Sequence, residues 1–354
     1  MPLDQELCRY YIGRDADFWQ QVNEALERTL RHPEAEGILH QLGETLLVKQ
    51  STKEGAMLLT RFANLDREAG PLVPLGALGL LLPKAILPYQ QQGADDEMLK
   101  QTFGDIRRWI NWYKREHGID GLEELTWAVR PYANKLYHIG CLQFERIENR
   151  MPVQVWQMSG SILLLSCGGV YVDHNQRACA RAEDASFITG WKQTEHAVSG
   201  HLIDPETGLI DPTVTTLPTA GMTRILRPGD AALTLHIPAG TSLLPDDVDR
   251  SLRSAKEFFA AAGMSFSTCQ CHSWMLDPQL SRFMDSSSRI LNLSRRFAHV
   301  SMAGEGSGAR FIFGTDTPPL RLPPEAVKTS LQQAVMRHLK MGGKLYDFGG
   351  VMLL

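Results

Sequence analysis

The spacing of the apolar residues changes once along this 354-residue chain, and that change limits the folds open to it. Over residues 17–148 apolar side chains recur at helical intervals, as in Phe18, Val22, Ala25, Leu26, Thr29 and Leu30, then Leu99, Phe103, Ile106, Ile110 and Tyr113. Breaks at His32-Pro33, Gly70-Pro71, Gly93 and His117-Gly118 predict antiparallel helices joined by short loops. The apolar stretch 72–87 is interrupted by Pro74, Pro83 and Lys84. It falls short of the roughly 20 residues a bilayer span needs, and it predicts a buried helical hairpin. A last long helix is expected over 122–148, with Leu125, Val129, Tyr132, Leu136, Ile139 and Gln143 on one face and a kink at Pro131.

After Pro152 the β-branched and apolar residues run in strand-like segments with glycines at turns, first over 153–173. Further strands are expected at 201–210 and 231–238, with DPETGLIDPTVTTLP between them as turn chemistry. The strand ALTLHIPAG is followed by a helix with Val248, Leu252, Ala255, Phe259 and Ala262 on one face. The strand SFSTCQCHSWML comes next. Such a β-loop-α-β unit implies parallel pairing and a ligand at the carboxyl ends of the strands. The tail reads as a strand ARFIFG, a helix carrying Val327, Leu331, Ala334, Val335 and His338, and a terminal strand near Val351. The domain boundary is therefore expected near residue 150: helical 1–150, mixed α/β 151–354.

Bulk chemistry narrows the partners. The formal net charge of −4 gives no global positive field for nucleic acid or anionic lipid, so neither is expected as a partner. Six scattered cysteines in a chain of this size argue against a disulfide framework and fit a reducing compartment. The amino-terminal MPLDQELCRYYIGRD lacks the apolar segment of a secretion signal, and a cytoplasmic location is expected.

The strings DIRRWINWYKREHG and LYHIGCLQFERI in the first half, with HIPAG, FFAAAG, HSWMLDPQL, RRF, TSLQQAVMRHL and GGKLYDFGG in the second, occur as an ordered set. In this the chain resembles a bacterial family composed of an N-acyltransferase N-terminal domain and a GNAT-like C-terminal domain. The resemblance implies an α+β architecture, a helical N-terminal domain followed by a mixed α/β GNAT-like (acyl-CoA N-acyltransferase-like) domain. It also implies acyl-CoA as co-substrate, with no permanently bound cofactor, and a small-molecule or peptide amine as acceptor. A non-catalytic GNAT-like binding or regulatory protein and an acyltransferase fed by a carrier-protein phosphopantetheine thioester stand as alternatives.

One segment departs from ordinary GNAT enzymes. Their glycine-rich pyrophosphate loop is replaced here by PAGTSLLPDDVDRSL, with the single glycine Gly240. Thr241 and Ser242 offer hydroxyls, but Asp246 and Asp247 bring negative charge into the first helical turn, where they answer the helix dipole themselves and repel phosphate.

Amine acylation needs a base, oxyanion donors and a proton for the departing thiolate. His236, at the end of its strand, is the candidate base, and the backbone N–H groups of Ile237 and Ala239 are candidate oxyanion donors; the competing reading of His236 is a buried ring satisfied by a carbonyl. On the next strand, alternation sets Cys271 and Ser273 on one face and His272 and Trp274 on the other. His272 is a candidate second acid or base, Ser273 a candidate proton donor, and Trp274 a core residue or pocket wall. Tyr346 is a candidate phenolic acid. Arg296, with Arg295 after an expected strand, is a candidate phosphate partner, as is the loop GEGSGAR with Arg310. Zinc at Cys269, Cys271, His272 and His236 is disfavoured because the second C-x₂-C pair is missing, and no metal is expected. No G-x-S-x-G elbow is present.

Overall fold

Asp15 and Asp95 each open a helix by accepting a backbone N–H from three residues on, Phe18 at 2.9 Å and Met98 at 2.8 Å. In the computed structural model, which describes residues 2–354 apart from 67 and 305, such caps punctuate a run of helices. These are α1 (Gln5–Tyr11), α2 (Ala16–Thr29), α3 (Ala35–Gly43), α4 (Thr52–Ala63), α5 (Val73–Gln91), α6 (Asp96–Gly104), α7 (Ile106–His117) and the single turn α8 (Leu125–Ala128). The contacts divide the chain into two compact units. The first comprises Met1–Ile139, Gln143–Glu145 and Glu257–Met264; the second comprises Gly140–Leu142, Arg146–Lys256 and Ser265–Leu354.

Two expectations for the helical half change. The stretch 72–87 is no hairpin but part of the continuous helix α5, with Pro83 and Pro88 inside it. Pro83, Lys84 and Leu87 share its exposed face, where a missing N–H and an outward kink disturb packing least. The helical span Gly70–Gln91 is long and apolar enough to cross a bilayer, and 67% of its most apolar window is buried within protein. A core position accounts for that composition. The expected helix 122–148 is replaced by α8, a turn, and strands β1 (Leu136–Ile139) and β2 (Leu142–Glu148). Asn134 adopts a positive φ of +50°, which ends helical progress there, and Gly140, at φ +66°, makes the turn between β1 and β2. The Tyr89 hydroxyl lies 2.9 Å from the Pro131 carbonyl and 2.8 Å from that of Leu136, and the Thr102 hydroxyl accepts the His138 N–H at 3.0 Å. Tertiary partners thus take the backbone groups a helix would have used.

The second unit carries most of the strands: β3 (Val153–Met158), β4 (Ser161–Ser166), β5 (Tyr171–Val172), β6 (Phe187–Ile188), β7 (Trp191–Gln193), β8 (Ala197–Ile203), β9 (Ile210–Pro218), β10 (Met222–Leu226), β11 (Ala231–His236), β12 (Thr268–Ser273), β13 (Ala298–Ser301) and β14 (Phe348–Leu353). Helices α9 (Pro245–Ala261), α10 (Arg289–Ser294), α11 (Gly308–Phe313) and α12 (Ser330–Lys340) punctuate them. An antiparallel sheet runs β10-β3-β4-β8-β7, with β9 also on β8. A second sheet contains the order β11-β12-β14-β13. Val155, Leu164 and Ile203 of the first sheet share one core cluster with Ala232, Val300 and Val351 of the second.

The predicted β-loop-α-β unit is present: β11 and β12 pair in parallel, joined through α9, whose Val248, Leu252 and Ala255 are buried. Three local readings are corrected. The segment IDPTVTTLP is not turn but strand β9, because β8 supplies a ladder and the Ser199 and Thr216 hydroxyls meet at 2.8 Å; only residues 204–209 turn. ARFIFG lies largely in helix α11, which ends at Gly314 with φ +69°. Arg295 and Arg296 follow helix α10, not a strand. The loop 304–310 includes residue 305, which lies outside the described residues.

Candidate active site at the ends of β11 and β12

Strand β11 keeps register with β12 only at Leu233↔Cys269 and Thr234↔Gln270. Beyond that point β12 remains paired to β14 as far as Ser273↔Phe348, whereas the β11–β12 register has ended and β11 runs on to His236. The Thr234 hydroxyl donates to the Gln270 carbonyl at 3.2 Å, the last bridge before the two strands part. A sheet that opens between two parallel strands at their carboxyl ends exposes backbone N–H and C=O groups that a ligand can pair.

The sequence-predicted residues gather on the two lips of this opening. His236 and Ile237 are half-buried on the β11 side, with Ala239, Gly240 and Ser242 exposed in the following turn. The Thr241 N–H donates to the Pro238 carbonyl at 3.1 Å and closes that turn. Gly240 has φ +84°, and no atom lies within 4 Å of where its Cβ would be, so backbone conformation rather than crowding requires glycine there. On the β12 side His272 is exposed and Ser273 half-buried. The register offset that pairs Thr234 with Gln270 carries His236 to His272, so the two imidazoles sit at matching depth on parting strands. The Ser273 hydroxyl oxygen accepts the Met275 N–H at 3.1 Å, which leaves its own hydrogen to donate.

Alternation does not separate the faces of β12 until its end. Cys269, Gln270 and Cys271 are all buried, and burial pushes the Cys271 thiol up to about 12 and that of Cys269 well above its ordinary value. These are neutral structural thiols. No cluster of three metal-binding side chains occurs among the described residues. Trp274 is buried and packs with Leu280 and Leu291 in a small core beneath the strand end.

The start of α9 is already engaged. Asp246 and Asp247 stand in its first turn. The Ser251 hydroxyl donates to the Asp247 carbonyl and accepts the Cys141 N–H, both at 2.8 Å, and the Thr241 hydroxyl donates to the Cys141 carbonyl at 3.4 Å. Arg296 is ion-paired with Asp249 and holds that carboxyl below the usual carboxylate range. Arg289 donates to the Ser242 carbonyl at 3.0 Å. At the helix terminus that serves as a phosphate site in glycine-loop enzymes, the Asp247 and Val248 N–H groups already donate to the Leu244 carbonyl, both at 3.0 Å.

Two residues missed in the sequence organise the β14 side. Asp277 is 1% exposed, and its carboxylate accepts the backbone N–H of Gln279 at 3.0 Å and of Tyr346 at 3.1 Å. Burial raises its pKa against the pull of those bonds and of Arg177. The Arg177 guanidinium lies 4.2 Å from the centroid of the Tyr346 ring. The one hint in the sequence is the turn-forming dipeptide Asp277-Pro278. Replacing Asp277 by alanine strands two part-buried N–H donors, an expected cost of roughly 1–3 kcal/mol, with faster amide exchange at Tyr346. Chemical denaturation and hydrogen exchange measure both, and unchanged protection at Tyr346 would remove Asp277 from this role.

Comparison with known proteins now decides the family. Residues 136–352 match the GNAT-like C-terminal domain, and residues 4–134 match the N-acyltransferase N-terminal domain. The chain belongs to this N-acyltransferase family. Solved structures with the same fold include an acyltransferase solved with decanoyl-CoA and teicoplanin, 20% identical, with a TM-score of 0.64 over 99% of this chain and 87% of that one. A point mutant of an acyltransferase solved with octanoyl-CoA gives 19% identity and a TM-score of 0.66, and an acyltransferase solved with CoA and 10C-teicoplanin gives 19% and 0.63, with the same coverage of both chains. At such identities the likeness is one of fold. No curated protein matches the chain. The GNAT-like domain of this chain therefore begins at β1, and the parting strands β11 and β12 both lie inside it.

Proposed function

We propose that this N-acyltransferase moves an acyl group from acyl-CoA to an amine of a small-molecule or peptide acceptor. The observation that carries the reading is the separation of β11 from β12 past Thr234 and Gln270, with an imidazole on each lip, in a chain whose family is N-acyltransferase. The acyl-CoA molecules and teicoplanin in the solved acyltransferases of this fold support the same donor and an acceptor larger than a simple amine. The six free thiols suit a reducing, cytoplasmic setting.

In this reading a pantetheine arm enters between the strands and pairs with backbone groups that β11 and β12 no longer offer each other. His236 takes a proton from the acceptor ammonium, and the freed amine attacks the thioester carbonyl. The oxyanion of the tetrahedral intermediate is met by the N–H of Ile237 or Ala239. Collapse breaks the carbon–sulfur bond, the leaving thiolate takes a proton from Ser273, His272 or Tyr346, and the surplus proton on the new amide nitrogen returns to that group directly or through water. The amide and free CoA are the products.

Acyl-CoA at a hundred times its Kd is expected to stabilise the native state by about 2.7 kcal/mol, seen as a rise in Tm, and to release thiol when an amine is supplied. Absence of any Tm shift with acetyl- through decanoyl-CoA at millimolar concentration overturns the donor assignment.

A further inference from the structure

A cavity of about 420 Å³ lies between α12 and the 3-10 turn Pro278–Arg282, away from α9, within the range of small-molecule pockets. Its charged lining is wholly cationic: Arg282 from the turn, and Arg337 and Lys340 from the last helical turn. In a chain whose 40 acidic residues outnumber its 36 lysines and arginines, that local excess is not a matter of composition. Arg337 and Lys340 also answer the α12 dipole, but Arg282 comes from a separate element. Arg282, Arg337 and Lys340 are exposed, and none has a carboxylate partner among the described residues. The rest of the lining is His338 and the apolar Phe283, Ala334 and Met341. The Phe283 ring sits 4.8 Å from that of His338, and Met341 at the rim is 81% exposed.

The pocket is tied to the end of β12. The His338 Nε2–H donates to the Lys344 carbonyl at 3.1 Å, and the chain passes so close over the ring that a Cβ at Gly343 would lie 2.2 Å from His338 Cε1. Lys344 is two residues from Tyr346, a reach of at most about 7 Å. Phe348, two residues further, faces Ser273 in register.

We infer that this pocket holds the 3′-phosphoadenosine end of CoA. The inference rests on the acyl-CoA reading and gives it a phosphate site that the acidic, self-occupied start of α9 does not supply. A purine has a face to lay on Phe283 and Met341, and a phosphate monoester has three cations to pair with. A free nucleotide or inorganic phosphate shares part of that chemistry, so the experiment separates them.

The test titrates the full chain calorimetrically with CoA, 3′-dephospho-CoA, adenosine 3′,5′-bisphosphate, pantetheine and inorganic phosphate. The parent is expected to bind CoA at least about tenfold more tightly than 3′-dephospho-CoA, a charge-assisted contact being worth that much. The bisphosphate should compete with CoA at concentrations where inorganic phosphate does not. In the combined variant Arg282→Glu, Arg337→Glu, Lys340→Glu the preference should vanish, with pantetheine affinity unchanged. Arg282→Glu alone, lying off the helix, should reduce it should the triple variant fold poorly. Equal affinity of the parent for CoA and 3′-dephospho-CoA, a preference that survives charge reversal, or competition by inorganic phosphate as strong as by the bisphosphate each overturns the assignment. The two readings fail separately. A CoA preference that vanishes on charge reversal, in a chain that transfers no acyl group, defeats the catalytic reading alone; acyl-CoA turnover with a KM indifferent to charge reversal defeats the pocket alone.

Discussion

Replacing His236 by alanine is expected to lower turnover of acyl-CoA with an amine acceptor by roughly 10²–10⁴-fold, the usual contribution of a positioned general base. The loss should fall on kcat, with CoA affinity little changed, because the ring stands on the lip of the opening rather than among the groups that would hold phosphate. Removing the base leaves deprotonation of the acceptor to solvent, so kcat/KM should climb toward high pH where the parent levels off. Added imidazole should restore part of the rate, which it would not do for a side chain that merely packs the strand end. His272→Ala serves as the comparison, since His272 sits at the same depth on the exposed side of β12. A His236→Ala chain within about threefold of the parent would remove it as base, an effect far below that of general-base loss.

Truncating Phe103 to alanine should cost about 3–5 kcal/mol of stability, among the largest effects of any single core change. The side chain is fully buried and its ring meets those of Tyr89 at 5.6 Å, Tyr132 at 5.5 Å and Tyr11 at 6.4 Å. Its removal leaves a cavity walled by rings that cannot all collapse inward, because the Tyr89 hydroxyl is tied to the carbonyls of Pro131 and Leu136. The damage should therefore extend to the turn that sets β1. The urea midpoint is expected to fall with an unchanged m-value, and a loss below about 1 kcal/mol would show that the aromatic cluster repacks freely.

What was legible in the sequence follows from how local each signal is. Asp15 and Asp95 cap helices through bonds spanning three residues, and the spacing of Val248, Leu252 and Ala255 needs only one face of one helix to be covered. The switch from helical to strand periodicity, the β11–α9–β12 crossover and the acidic start of α9 were therefore readable without any partner in view. So was the placement of His236 and His272 at strand ends.

Other features depended on partners far along the chain. Leu125, Val129, Tyr132, Leu136 and Ile139 are spaced for a helix, yet Tyr89 and Thr102 capture the backbone of that segment and turn it into a hairpin. IDPTVTTLP contains turn residues throughout and becomes strand β9 only because β8 lies alongside it. Asp277 gains its hold on Tyr346 across 69 residues of sequence, and Arg282 meets the end of α12 across more than fifty. Sequence alone determined the buried faces of elements such as α2 and α9, where neighbours within a turn or two set the period. Tertiary structure alone decided which backbone groups were already spoken for, and hence where the sheet opens and where unpaired cations collect, because hydrogen bonds and charges are satisfied in space rather than along the chain.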